Sequence, residues 1–255
     1  ARASDTVQSI TTTRTHMSQE YFYIEPASIN GSFVMISGDE AKHISRVLRK
    51  EPGEMIWVSD GCGCVYETLI RSIYPYGVEC EILKAHPRLH EPQIELTLAI
   101  GLLKNPSRMD WIIEKGTELG VTHFLPLITR YTIAQSVKEE RWRSIALAAM
   151  KQSGRCVLPK IFPPMKFKDA LEYAEPSEVK LIPFEKTERI LFIGEVMKRH
   201  TPSSAIIFIG PEGGFTDEEI RNAEESGCMQ VSLGPRRLRT ETAALVAASW
   251  VVGSM

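Results

Sequence analysis

Ile206-Ile207-Phe208-Ile209-Gly210-Pro211-Glu212-Gly213-Gly214-Phe215-Thr216 is the stretch whose reading decides the fold of this chain. Apolar, β-favouring residues run straight into Gly-Pro-Glu-Gly-Gly, and the capping-box spacing of Thr216 and Glu219 starts a helix directly afterwards. A strand buried on both faces that turns through glycines into a helix is a unit of a parallel α/β sheet, whose ligands sit beyond the strands' carboxyl ends. Gly213 and Gly214 permit positive φ and close backbone approach, and Pro211 stiffens the turn. Glu212 sets an anion in the loop, which suits a cationic ligand better than a phosphate. A dinucleotide-binding loop is the competing reading, but GPEGG lacks the GxGxxG spacing and lies late in the chain. Alone, the stretch leaves a ligand loop and a plain strand–helix turn both open.

Downstream, Met229–Leu233 reads as a further strand, followed by Gly234-Pro235-Arg236-Arg237-Leu238-Arg239-Thr240-Glu241-Thr242-Ala243. Gly234-Pro235 is a turn signal, and Thr240 is the predicted N-cap of a small-residue helix running to Val251. The three arginines at a strand's carboxyl end point to an anionic partner. A solvated basic turn is the alternative for Arg236 and Arg237. Upstream as far as Gln93, strands at Ile94–Ile100, His123–Ile128, Val179–Pro183 and Ala205–Ile209 alternate with helices. One helix is predicted to open at Ser107, capped with Asp110, and to end at Gly120. Another carries the apolar stripe Trp142, Ile145, Ala146, Ala149, and others span Ile190–Arg199 and Asp217–Ser226.

Before Gln93 the rhythm differs. Short strands are expected at Tyr21–Ile24, Phe33–Ile36, Met55–Val58, Val65–Ile73 and Val78–Leu83, separated by turn signals such as Asn30-Gly31 and Asp60-Gly61. A single helix, Asp39–Lys50, would place Ala41, Ile44, Val47 and Leu48 on one face and Lys42, Arg46, Arg49 and Lys50 on another. This is the pattern of a small β-barrel carrying one helix, with His86–Pro92 as the linker to the α/β part.

With 255 residues, 43% hydrophobic and 24% charged, the chain is long enough for two domains. No run of eighteen apolar residues occurs, so no membrane span is expected. The five cysteines lack zinc spacing, so no metal site is expected, and they read as small hydrophobes in a reducing cytoplasm. A net charge of −2 requires any nucleic-acid contact to rest on a local concentration of cations. Ala1–His16 is rich in Thr, Ser and Arg and shows no apolar period. It is expected to be a tag or disordered tail with Met17 as the native start, a transit segment being the alternative.

Glu114-Lys115-Gly116-Thr117-Glu118-Leu119-Gly120-Val121, the Gly210–Phe215 loop and Leu233–Ala243 together resemble the bacterial 16S ribosomal RNA uridine N3-methyltransferase family. Gln152-Ser153-Gly154-Arg155 and the segment from His43 to Arg49 add to the likeness, which runs from about Tyr21 to Ala248. Lys104-Asn105-Pro106-Ser107 departs from the family, which usually has a glycine-containing turn there. The resemblance implies a knotted (deep trefoil) SPOUT methyltransferase domain over residues 89–255, preceded by a PUA-like RNA-binding barrel over residues 17–88. It implies S-adenosyl-L-methionine as cofactor, held by Leu181, Pro183, Ile209, Gly210, Glu212, Gly213, Gly214, Leu233, Gly234, Leu238, Arg239, Thr240, Thr242 and Ala243. Arg239 is the expected stabiliser of charge on the base, and Glu241 or Glu212 the expected proton acceptor or cofactor contact, with dipole complementation at a helix start as the alternative for Glu241. Arg46, Arg49, Lys50, Arg108, Lys115 and Arg155 are the expected RNA contacts, a solvated helix face being the alternative for the first three. The substrate implied is 16S ribosomal RNA in the small ribosomal subunit, and the assembly a homodimer. The small-residue face of the last helix (Ala243, Ala244, Ala247, Ala248) fits either such an interface or burial within the chain. A non-catalytic ribosome-assembly factor is the competing function.

Overall fold

The computed structural model describes residues 20–133, 137–184 and 191–254. The expected tail Ala1–His16 and the predicted helix start at Ile190 lie outside them. The chain divides into two compact units, with the boundary between Leu89 and His90.

The first unit is a six-stranded sheet in the order β1 (Tyr21–Tyr23), β4 (Met55–Ser59), β5 (Cys64–Tyr74), β6 (Gly77–Pro87), β3 (Phe33–Ser37), β2 (Ile29–Asn30). Among its described residues only β1 and β4 pair in parallel; the other pairs are antiparallel. Residues alternating along these strands, among them Val34, Ile36, Ile56, Val58, Val78 and Cys80, fill the core. His86 and Pro87, expected in the linker, instead finish β6, where they pair with Val65 and Cys64. The predicted helix Asp39–Lys50 begins as α1 (Gly38–Lys42) and continues as a π-helical turn, His43–Val47. There the Leu48 N–H donates to His43 O at 3.0 Å, five residues back. The wider turn shifts the helical phase, so Val47, expected in the core, is 66% exposed. Arg49 leaves the helix with φ 54°, so it shares no helical face with Arg46.

The second unit is a seven-stranded sheet, parallel throughout. In chain order it comprises β7 (Glu95–Gly101), α2 (Pro106–Leu119), β8 (His123–Ile128), α3 (Glu139–Ser153), β9 (Lys160–Ile161), β10 (Met165–Lys166) and α4 (Phe167–Tyr173). It continues with β11 (Val179–Pro183), α5 (Ile193–His200), β12 (Ser204–Ile209), α6 (Asp217–Glu225), β13 (Met229–Val231) and α7 (Thr240–Gly253). The strands lie in the order β10-β8-β7-β12-β11-β13, with β9 on β8. Both faces are covered, as the near-continuous apolar strands require. Leu96, Leu98, Ile100, Ile207 and Ile209 face the core shared with α2, α3, α5 and α7, whereas Ala99, Ile206 and Phe208 face the core shared with α4 and α6.

Local signals account for several helix ends. Asn105 caps α2 by accepting from Ser107 N at 3.0 Å, with Pro106 at the first helical position. The cap is therefore Asn105, not the expected Ser107, because Pro106 lacks the N–H that an interior position would need and suits the first turn. Gly120 ends α2 in the left-handed conformation, as expected. Helix α6 begins on the predicted capping box: Glu219 N donates to Thr216 Oγ1 at 3.1 Å, and Thr216 N donates to Glu219 Oε2 at 2.8 Å. Replacing Thr216 with Ala should cost about 1 kcal/mol in chemical denaturation; an unchanged midpoint would remove the cap from the account of this helix. Helix α7 starts at Thr240, the first residue of the expected helix, but its cap differs. Arg239 is its N-cap, and Thr240, the expected cap, is buried in the first turn.

The cysteines behave as hydrophobes where they are buried. Burial pushes the Cys80 thiol up to about 12 and that of Cys228 up to about 11, leaving both protonated at neutral pH. No helix among the described residues is long and apolar enough to cross a membrane.

Candidate active site

Strands β12, β11 and β13 are neighbours, so the loops that leave their carboxyl ends open side by side along one edge of the sheet. The segments expected to hold a cofactor are these loops: residues 210–216 after β12, 232–239 after β13, and Phe184 after β11. The segment 185–190 lies outside the described residues.

The loop after β12 folds back tightly. Gly214 N donates to Pro211 O at 2.8 Å, and Gly214 takes φ 71°. A Cβ on Gly210 would lie 2.8 Å from the Gly214 carbonyl carbon, so any larger residue there must push the loop open. Gly213 does not use positive φ, contrary to expectation. Its lack of a side chain serves contact instead, since a Cβ there would lie 2.8 Å from Tyr131 Cβ. Glu212 is exposed, and its Oε1 accepts from Lys104 N at 3.1 Å, which ties this loop to the one after β7. Glu219 makes a similar tie, accepting from Arg130 N at 2.9 Å in the loop after β8.

The loop after β13 is pinned at its base. Phe184 N donates to Val231 O at 3.1 Å, Ser232 N donates to Leu191 O at 2.9 Å, and Gly234 N donates to Ser232 Oγ at 3.2 Å. Leu233, Leu238, Thr242 and Ala243 are half-buried, so they can offer partial apolar walls, whereas Arg236, Arg237 and Arg239 are exposed. Pro183 is half-buried at the end of β11. Leu181 has no exposed surface, and Ile209 is only 4% exposed; both belong to the core and back the site without lining it. Thr240, at 8%, is also shielded.

Glu241, in the first turn of α7, reaches across to α2. Its Oε1 lies 3.7 Å from Arg108 Nε, while its Oε2 is buried and has no hydrogen-bond partner. An orphaned carboxylate oxygen costs free energy unless a ligand donor reaches it. The sequence could not have paired Arg108 with Glu241, because the contact depends on α2 and α7 packing together.

The expected RNA contacts divide. Arg46 and Arg49 are exposed, and Lys50 is paired with Glu54 at 2.9 Å. Lys115 lies 2.8 Å from both Glu114 and Glu118 on its own helix. These hydrogen bonds hold its ammonium well above the usual range and leave a local excess of negative charge. Arg155 is not a surface cation. Its side chain is 2% exposed and that of its partner Glu91 1%, with Nη2 2.6 Å from Oε2. Nη1 donates to the carbonyls of Thr117 at 2.7 Å and Val121 at 2.9 Å, at the end of α2. Arg155 therefore closes a helix terminus and a linker, and the expectation that it touches RNA is overturned. Among the described residues, no cluster of His, Cys, Asp and Glu is placed to hold a metal ion.

An open parallel α/β sheet with glycine and arginine loops at one carboxyl edge defines a ligand-binding domain. Residues 90–252 match the family model described as an RNA methyltransferase domain. The chain is 37% identical over 191 residues to Ribosomal RNA small subunit methyltransferase E of Mesomycoplasma hyopneumoniae, covering 71% of this chain and 81% of that protein. It is 31% identical to the Bacillus subtilis protein of the same name, over 84% of this chain and 87% of that one. The crystal structure of Ribosomal RNA small subunit methyltransferase E from Neisseria gonorrhoeae, bound to S-adenosyl methionine, superposes with a TM-score of 0.78 at 32% identity, covering 90% of this chain and 95% of that one. The chain belongs to the ribosomal RNA small subunit methyltransferase E family.

Proposed function

We propose that this chain transfers a methyl group from S-adenosyl-L-methionine to N3 of a uridine in 16S ribosomal RNA of the small subunit. The observation that carries the reading is the edge formed by β12, β11 and β13. A folded-back glycine loop and an exposed Arg239 belong to the loops at that edge, and α7, which follows them, carries the partnerless buried oxygen of Glu241. The residues suit the cofactor. Gly210, Gly213 and Gly214 keep the loop backbone slim, Leu233, Leu238 and Ala243 offer apolar contact, and Glu212 sets a negative charge in the loop.

When bound, S-adenosylmethionine supplies an electrophilic methyl on a sulfonium. The loops of this chain would hold the acceptor nitrogen in line with it, which is the main demand of such a displacement. Loss of the N3 proton spreads negative charge onto the neighbouring uracil oxygens. Arg239, at the N-terminal end of α7, would stabilise that charge together with the helix dipole. Glu241 Oε2 is the acceptor available for the proton or for a ligand donor.

The same reading covers the rest of the molecule. The first unit acts as a PUA-like RNA-binding barrel, with Arg46, Arg49 and Lys50 toward phosphate, and Arg108 continues the cationic surface of the second unit. The segment from β11 to α7 forms a deep trefoil knot. In support, the chain runs out to the edge strand β13 before α7 returns to pack on β7 and β12. The protein works in the cytoplasm as a homodimer. Ala244, Ala247 and Ala248 are buried within the unit, so the face left for a second copy carries Leu245, Val246, Ser249 and Trp250 with Leu119. These residues line a shallow apolar depression of about 490 Å³.

Radiolabelled cofactor mixed with the protein and unmethylated small subunits tests the reading. Label should enter the RNA; cofactor binding without transfer would favour an assembly factor instead.

A further inference from the structure

We propose that Tyr131 is the stacking platform for the target base, an inference that rests on the methyl-transfer reading above. Uracil N3 is the atom that donates in Watson–Crick pairing, so a base methylated there must first be unpaired and lifted from its stack. Attack by N3 takes place in the plane of the ring. The base edge must then face the methyl donor, while its two faces stay free for stacking on an aromatic or apolar surface.

Tyr131 meets these requirements from the loop after β8. The residue is 51% exposed, although its Cβ end packs on Gly213 in the loop after β12. Anything stacked on its ring therefore lies beside the loop assigned to the cofactor. Ile128 and Ile133, close by in the chain, are also exposed, at 44% and 52%, and the neighbouring Arg130 is an exposed cation for the adjoining phosphate. The turn that carries the ring is hydrogen-bonded at both ends. Thr132 N donates to Thr129 O at 3.2 Å, and Thr129 N donates to Thr132 Oγ1 at 2.9 Å, closing a turn with Arg130 and Tyr131 at its tip. The Glu219 carboxylate fixes that tip through Arg130 N. A turn held this way loses little conformational freedom when a base settles on it.

Methyl transfer to small subunits should be compared for the wild type, Tyr131→Ala and Tyr131→Phe, alongside cofactor affinity by equilibrium dialysis and oligomeric state by sedimentation. Tyr131→Ala is expected to lower kcat/KM for RNA by about tenfold or more, the scale of one lost base–aromatic stack. Tyr131→Phe should restore it, because the ring and not the hydroxyl makes the stack. Cofactor affinity and oligomeric state should not change. An active wild type matched by Tyr131→Ala would overturn this inference alone. So would a loss confined to cofactor affinity, a shift in oligomeric state, or a Phe variant as impaired as the Ala variant. A wild type that binds cofactor but labels no RNA would overturn the methyl-transfer reading, and this inference with it.

Discussion

Replacing Arg239 with Ala should lower kcat for methyl transfer by about a hundredfold or more, the scale of removing one charge-stabilising donor from a reacting site. Arg239 is the exposed N-cap of α7 and makes no side-chain capping bond, so the helix does not depend on its guanidinium. Stability by chemical denaturation should therefore stay within about 0.5 kcal/mol of the wild type. Arg239→Lys should recover only part of the loss, since a point charge replaces a planar fork. Wild-type rates in Arg239→Ala would remove this residue from the chemistry and leave the loop after β13 with a binding role only.

The second large effect concerns stability. Arg155→Ala should destabilise the fold by about 3–5 kcal/mol, because it strands a carboxylate that has almost no access to water. Glu91 accepts from Arg155 and also from Cys156 N at 2.8 Å and Val157 N at 2.9 Å, so it cannot turn outward without abandoning those donors. The carbonyls of Thr117 and Val121 lose their donor as well. Arg155→Lys keeps the charge but cannot span both the carboxylate and the carbonyls, and should remain at least about 1 kcal/mol below the wild type. Denaturant midpoints at unchanged slope measure both variants. An Arg155→Ala protein within about 1 kcal/mol of the wild type would mean that water satisfies Glu91 and that the pair is not closed.

These cases mark where the sequence could be read and where it could not. The strand–helix alternation of the second unit was legible because apolar runs, capping residues and glycines are local. His123–Ile128 and Val179–Pro183 match their strands residue for residue, and the Thr216–Glu219 box forms as its spacing predicted. Short elements such as β9 and β10 escaped, since two residues carry no period. The π-helical turn escaped too, because the residues of His43–Val47 give no sign of a wider turn and Val47 looks like core.

The placement of the glycine and arginine loops at strand carboxyl ends was legible, but partners separated in the chain were not. Arg155 looked like a surface cation, and its partner Glu91 lies 64 residues away. The pairing of Arg108 with Glu241 depends on α7 packing against α2, which no local pattern shows. Tyr131 carried no motif at all, and only its packing on Gly213 places it at the edge.

The most direct test of the central claim is the chemical identity of the product. Small subunits lacking the modification would be incubated with the protein and S-adenosylmethionine, and their RNA digested to nucleosides for mass spectrometry against standards. The account predicts a single new species, 3-methyluridine, that depends on both protein and cofactor. A methyl group found on carbon 5, on the ribose or on another base would contradict it.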